Sequence, residues 1–480
     1  MTERTTTART GATATGFDRR LLPPMILGSV LNPVNSTIIA VTLIPIGNAL
    51  GVPPSQTAWL VSALYLATAL GQPVVGRLID LFGPRRLFLI STSLVGVAGV
   101  VGTLAPNLGV LIGSRVLLGF GTCAGYPAAM ALLRSEERRT GIRSPAGVLT
   151  ALAVANQTIA VIGPLLGGLL VSVGGWRATF ALNVPLAALA VALGLLRLPR
   201  HTPPGGSDAP AAGTAPRTRL ATRLDLPGMA LFAGMLVALL LFLMNLRPED
   251  WYLPVIAAAA GAGFVRRELR APAPFIDLRV LGGNTPLLVT YGRALVTYTV
   301  SYAFLYGFTQ WTEEGYGLSP FHAGLVQIPM FLVAIGVSLL SGRSTAVRGK
   351  LLVGALGQVA ACVVMLTLAG DSPVWTLVLV ALVFGVPQGL NSLALQNCVY
   401  AQADSERMAS SAGLLRTFAY IGSMVASATA ALSFGPHVTT GGMHHLAWFM
   451  LGAGVVYLLL TVLDRTLGRN SDATGAAAGV

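Results

Sequence analysis

GRLIDLFGPRR, residues 76–86, is the stretch whose reading decides the fold. Gln72 to Val75 lead into it and Leu87 to Val101 follow, and neither flank carries a charge. Between them, three arginines, one aspartate and two glycines fall within eleven residues. A short charged turn between apolar runs is what joins two membrane-spanning helices on one face of a bilayer.

Composition agrees. The chain has 480 residues, 54% of them hydrophobic and only 10% charged, with a mean hydropathy of +0.72. Soluble domains carry about 25% charged residues, so this chain has too little charge for an ordinary water-facing surface. A net charge of +13 taken alone would point to nucleic acid; the placement of the charges points elsewhere. Cys123, Cys362 and Cys398 all fall inside apolar runs. They read as buried small hydrophobes, with neither a disulfide framework nor metal spacing. The opening MTERTTTARTGATATGFDRR has no apolar core, so it reads as a disordered basic tail and not as a signal peptide.

A spanning helix needs about 20 mostly apolar residues, and the sequence offers fourteen candidates. Six come first, near 22–48, 56–75, 86–104, 108–132, 145–172 and 177–197. Two follow near 226–246 and 251–266. Six more lie near 285–310, 320–341, 350–369, 374–399, 409–434 and 445–464. With the N-terminus inside, 26 of the 31 Lys and Arg residues fall on cytoplasmic segments. Only Arg177 and Arg247 fall outside, and Arg115, Arg293 and Arg416 lie within spans. By the positive-inside rule both termini are expected in the cytoplasm, with the chain multi-pass in the plasma membrane. The basic charge then serves membrane orientation, and no nucleic-acid partner is expected.

The chain also repeats. Gly76, Arg77 and Gly83 recur as Gly342, Arg343 and Gly349; SPAGVL (144–149) recurs as SSAGLL (410–415); Gly119 recurs as Gly385. The offset is 266 residues in every case. One constant offset at three separated places implies two parallel six-helix halves, a plan in which substrate sits between them. The expected domains are a cytoplasmic tail (1–21), an N-terminal six-helix bundle (22–198), linkers with two extra transmembrane helices (199–284), a C-terminal six-helix bundle (285–465) and a second tail (466–480). The two extra helices are expected to lie outside both bundles.

On these residues the chain resembles the major facilitator superfamily. Gly76, Asp80, Gly83, Arg85 and Arg86 resemble its signature between the second and third helices, although Pro84 intervenes after the second Gly. RVLLGFG (115–121) resembles the fourth-helix motif, with Leu118 where Gln is usual. GPLLGG (163–168) resembles the fifth-helix antiporter motif, with Ile159 at its usual first Gly. NSTIIAVTLIP (35–45), GWRATFALNVP (175–185) and LDLPG (224–228) resemble the fourteen-helix drug:proton antiporter branch. The fold class implied is an all-α polytopic membrane protein, two six-helix bundles in the major facilitator fold plus two linker helices, with fourteen spans.

The resemblance implies a conformational latch on the cytoplasmic side. Asp80 would meet the start of the eleventh core helix near Ser410, Ser411 and Gly413, oriented by Arg77, Arg85 and Arg86, with Arg416 one to two turns further on. Its counterpart in the second half is Ala346, so the turn does not need an acid for its shape. Gly163, Gly167 and Gly168 form a small-residue face for close helix packing, and Pro164 can kink the helix; the resemblance makes this the hinge of an exporter. Arg115 lies deep enough to need a cavity or a partner. All eighteen acids fall in tails, loops or helix ends, and the first helix offers the amides Asn32 and Asn35 in place of a carboxylate. Glu313 and Glu314 are the nearest candidates for a proton carrier. Tyr298, Tyr302 and Tyr306 recur at every fourth residue and form one stripe. Gln157, Gln327, Gln388 and Asn391 are uncharged polar groups that can face a cavity or join helices. Such a lining suits uncharged or weakly charged amphipathic compounds.

No GxxxxGK[ST], HExxH or CxxC occurs, so ATP drive and metal chemistry have no motif here. The function expected is a secondary active transporter that exports small amphipathic compounds by alternating access in exchange for protons. It would use the proton gradient and no cofactor, act on a small-molecule substrate within the lipid bilayer, and work as a monomer. The alternatives are an uptake carrier for a nutrient or lipid and, more remotely, a polytopic membrane enzyme.

Overall fold

A computed structural model of the chain describes residues 17–464, apart from 53, 58, 141–145, 200–224, 245–247, 273, 277, 343–345 and 436. The two tails beyond these limits, most of the linker before residue 225, Arg247 and the turn residue Arg343 therefore lie outside the described residues.

All fourteen apolar segments carry helix. The first set is α1 (Leu22–Leu50), α2 (Trp59–Phe82), α3 (Pro84–Thr103), α4 (Leu108–Thr122), α5 (Gly125–Thr140), α6 (Ala146–Ala181) and α7 (Asn183–Arg197). The insert is α8 (Leu226–Met244) and α9 (Tyr252–Glu268). The last set is α10 (Thr285–Ala303), α11 (Pro320–Ser341), α12 (Val347–Met365), α13 (Val374–Gln402), α14 (Met408–Phe434) and α15 (Thr440–Val462). Among the described residues there is no strand. Among the described residues ten helices are long and apolar enough to cross a bilayer, with α4 and α5 running as one, or eleven if the bent pair Arg19–Ile39 and Val41–Leu50 is one span.

Local chemistry sets the ends. Gly83 turns the chain at φ 89°, a conformation that favours glycine, and Pro84 opens α3 at a position where its missing N–H costs nothing. Asn107 caps α4 by accepting the Val110 N–H at 3.0 Å, and Thr439 caps α15 by accepting the Gly442 N–H at 3.1 Å. Each cap satisfies one of the donors that a helix start leaves open. α10 continues through π-helical turns at Phe304–Phe308 and Trp311–Gly315.

α1 to α7 pack among themselves, as do α10 to α15, and the two sets meet where α2 and α5 touch α14 and where α6 touches α11 and α13. Glycines let these surfaces approach, and they do so in repeat-related pairs. A Cβ at Gly119 would lie 2.6 Å from the Ala67 Cβ on α2, and one at Gly385 would lie 2.6 Å from the Met330 carbonyl on α11. A Cβ at Gly76 would sit 2.6 Å from the Ala409 carbonyl on α14, and one at Gly342 would strike the Thr150 side chain on α6. The residues 266 apart thus do the same packing work in the two halves.

α9 packs chiefly on α8. α8 lies against the seam of the two sets, touching α2 and α14, and Leu240 clusters with Ala69, Tyr420 and Met424.

Over-filling a close contact costs about 1–3 kcal/mol. Gly119→Val and Gly385→Val should therefore both lower the temperature at which the purified protein loses its monodisperse gel-filtration peak. Gly168→Ala should not, because a Cβ there meets nothing within 4 Å. Equal behaviour of the three variants would contradict the paired packing.

Candidate functional site

α2 ends two residues after Asp80, at Phe82, and the first N–H groups of α14 have no partner within their own helix. Asp80 bridges them. Its Oδ1 accepts the Ala409 N–H at 3.0 Å and its Oδ2 accepts the Ser410 N–H at 2.9 Å. The Ser410 hydroxyl donates to the same Oδ2. A carboxylate on a helix N-terminus is favoured by about 0.3–1 kcal/mol when exposed and by about 2 kcal/mol when partly buried. Two glycines make the approach geometrically possible: Gly76 beneath Ala409, and Gly413, where a Cβ would strike the Gln72 carbonyl.

Of the basic residues in the turn, Arg77 is close enough for its charge to act on Asp80. Arg85 instead donates to the Leu195 carbonyl at 3.1 Å, and Arg86 is exposed. The Ser411 carbonyl accepts from the Tyr291 hydroxyl at 3.0 Å. On this same basic face lies a second contact between the sets, absent from the sequence reading. The Tyr400 hydroxyl donates to Glu137 Oε2 at 2.7 Å. That carboxylate also takes Arg134 Nη1 at 2.8 Å, and Arg134 Nε reaches Ser405 Oγ at 3.3 Å. The one signal in the sequence was the run RSEERR at 134–139, and it names no partner.

Moving along α14 away from this face, the Thr417 hydroxyl donates to the Ala69 carbonyl at 3.2 Å. The Tyr420 hydroxyl donates to Asn32 Oδ1 at 2.8 Å. Asn32 Nδ2 in turn donates to Thr122 Oγ1 at 2.9 Å. Around Tyr420 the lining is aromatic. Tyr65 lies 5.8 Å from it, ring to ring. Tyr302 lies 6.4 Å from Tyr298 and 5.6 Å from Tyr306, so the tyrosine stripe survives the π-helical turn. Tyr65, Tyr298, Tyr302 and Tyr306 are all half-buried, and Arg416 stacks over the Tyr126 ring at 4.2 Å. These side chains come from both sets of helices and form one half-buried aromatic cluster beyond the Asp80 contact.

Other candidates lie elsewhere. Arg115 is buried; its Nε donates to the Leu60 carbonyl at 2.8 Å, and Nη1 and Nη2 reach the Asn35 carbonyl at 3.3 and 3.4 Å. It clamps α1 and α2 to α4. Asn35 exchanges amide hydrogen bonds with Asn183 at 2.7 and 2.9 Å, inside the first set. Asn391 donates to Thr297 at 3.0 Å and accepts from Tyr457 at 3.0 Å, inside the second. Gln327 donates to Thr309, Gln157 is buried and Gln388 is half-buried. Gly163 and Gly167 face α1, where a Cβ would meet Thr37 and Val41, and Gly168 meets nothing. Pro164 lies inside α6. Glu313 sits in the second π-helical turn, where desolvation, and then Glu314, push its carboxyl above the ordinary range. Among the described residues no group of three or more His, Cys, Asp or Glu side chains could hold a metal ion.

Hydrogen bonds from a charged donor contribute about 1.5–3 kcal/mol. Arg115→Ala should therefore lower thermal stability in detergent by an amount in that range, and Arg115→Lys should recover only part of it, because an ammonium lacks the planar fork. An unshifted melting curve for the alanine variant would show that the clamp carries no stability.

Comparison with known proteins accords with this architecture. The family model described as Major Facilitator Superfamily matches residues 25–427. The MFS-type transporter YwoD of Bacillus subtilis is 30% identical over 441 residues, covering 91% of this chain and 94% of its own. The lincomycin resistance protein of Streptomyces lincolnensis is 27% identical, covering 90% of this chain and 88% of its own. The tetracenomycin C resistance and export protein of Streptomyces glaucescens is also 27% identical, covering 86% and 76%. Among solved structures, the human organic anion transporter MFSD10 (TETRAN) superposes with a TM-score of 0.62 at 16% identity, over 92% of this chain and 99% of its own. A helical membrane protein with such relatives is a transporter and not an enzyme, and the chain belongs to the major facilitator superfamily.

Proposed function

We propose that the chain is a proton-coupled exporter of small amphipathic compounds, in the fourteen-helix drug:proton antiporter branch. It works by alternating access in the plasma membrane, as a monomer, with both termini cytoplasmic and no cofactor beyond the proton gradient. The observation that carries this reading is the arrangement of contacts between the two sets of helices. The hydrogen bonds described above run from the basic face, at Asp80 and Glu137, as far as Tyr420 and Asn32. The tyrosine cluster lies at the far end of that run. With the basic face as cytoplasmic, this is a carrier sealed inside and ready to release outward. Resistance and export proteins among the relatives support the direction and the substrate class, and on this reading α8 and α9 are the two helices of the branch's insert.

The test is transport in proteoliposomes under an imposed pH gradient, with an internal pH dye and a panel of amphipathic compounds. Substrate-dependent proton movement opposite to the compound is expected. Proton flux that ignores every compound would end the antiport reading.

Asp80 supplies a second test. Its three acceptor bonds exist only while the basic face is closed, so losing the carboxylate should favour the state open on that face. A shift on the order of tenfold follows from about 1.4 kcal/mol of lost differential interaction. In a background with Cys123, Cys362 and Cys398 replaced, Thr417→Cys reports the seal, because Thr417 is buried between α2 and α14. Adding Asp80→Asn should speed its thiol labelling and slow transport while leaving expression unchanged. Labelling and transport that both stay at the parental rate would remove the latch from the mechanism.

A further inference from the structure

Three arginines lie within the apolar segments, and two of them have their charge met. Arg115 gives its donors to backbone carbonyls. Arg293 pairs with Asp464 at 2.7 Å and also donates to the Leu460 carbonyl at 2.7 Å. Arg416 differs. It makes no ion pair and donates no hydrogen bond among the described residues. Its only partner is the face of Tyr126, 4.2 Å away. The groups close enough to act on its charge are Tyr298, Tyr126, Tyr420 and Tyr302, with no carboxylate among them. It is half-buried, and its guanidinium nitrogens are not among the sealed, unsatisfied atoms, so they keep accessible surface beside the tyrosine cluster.

Arginine keeps its proton in proteins. A cation deep in a membrane protein is costly unless it faces a cavity or a partner. The Tyr126 ring offsets part of that cost through its quadrupole, but stacking uses the face of the guanidinium and leaves its in-plane N–H donors free. Arg416 stands eight residues beyond the start of α14, about 12 Å along the helix from the end that Asp80 caps. A guanidinium fork matches a carboxylate in bidentate geometry, and tyrosine rings accept a flat apolar body.

We propose that Arg416 is a substrate-binding residue that selects aromatic organic acids, holding their carboxylate while Tyr65, Tyr298, Tyr302, Tyr306 and Tyr420 receive the ring system. This rests on the reading of the tyrosine cluster between the two sets as the lining of the transport site, and it replaces the uncharged substrate that the sequence favours with an anionic one.

The test is binding without any gradient, so that its failure is separate from a failure of proton antiport. Three matched probes are used with the purified full chain in detergent: naphthalene-2-carboxylate, its methyl ester and naphthalen-2-ylmethylammonium. Binding is read by equilibrium dialysis. The parental protein should bind the acid on the order of tenfold more tightly than the ester, the difference one charge-assisted contact supplies, with the ammonium weakest. Arg416→Gln should abolish the preference for the acid while retaining ester binding, which also reports that the variant is folded. Arg416→Lys should keep part of the preference. Tyr302→Ala should weaken the acid and the ester together. Equal affinity of the parental protein for acid and ester, no binding of any probe, or an undiminished preference in Arg416→Gln would each overturn the proposal. Acid-selective binding without coupled proton movement would leave it standing and sink antiport.

Discussion

One carboxylate capping a helix that belongs to the other half of the molecule is the contact on which the rest of the structure depends. The first N–H groups of α14 have no partner inside their own helix. Asp80 supplies one from α2 and takes a serine hydroxyl as well. The bond is available only because Gly76 and Gly413 carry no Cβ at the crossing. Charge, helix dipole and backbone clearance must coincide for the two halves to close there. Because the contact joins groups that can separate without unfolding either half, it suits a device with two states better than a permanent weld. The Glu137–Tyr400 hydrogen bond has the same character and sits on the same face.

The membrane interior treats charge as an expense to be met locally, and this protein meets it in three ways. Arg115 is neutralised by nothing but carbonyl dipoles, yet its donors are used and its place between α1, α2 and α4 is rigid. Arg293 has a true counter-ion in Asp464, at the end of α15. Arg416 has only aromatic rings. Among the described residues it is the one of the three whose charge neither an anion nor a carbonyl meets.

Much of this architecture is readable in the one-dimensional string. Apolar length marks the helices. The side on which arginines accumulate gives the expected orientation. The 266-residue offset pairs Gly119 with Gly385 and Gly76 with Gly342, and in the structure those pairs face equivalent neighbours. The charged turn draws attention to Asp80, because Ala346 holds its place in the other half. Less legible were Glu137 and Tyr400, which lie 263 residues apart with no repeat or motif linking them. The inward approach of α8 to Tyr420 was also unreadable, since an apolar helix looks the same against lipid and against protein.

By itself the sequence determined the class, the helical segments, the internal repeat and the family. These depend on length, composition and spacing, which survive without knowledge of any contact. The tertiary structure alone decided what each polar side chain in the interior does. Asn32 reaches across the two halves to Tyr420 while Asn35, three residues on, turns inward to Asn183. Arg115 is tied down by carbonyls while Arg416 stacks on the Tyr126 ring. The physical reason is rotational. A helix that is apolar on nearly every side has no amphipathic period to announce which face points inward. That rotation is set by glycine clearances and side-chain packing between helices distant in the chain, and only the folded molecule brings those helices together.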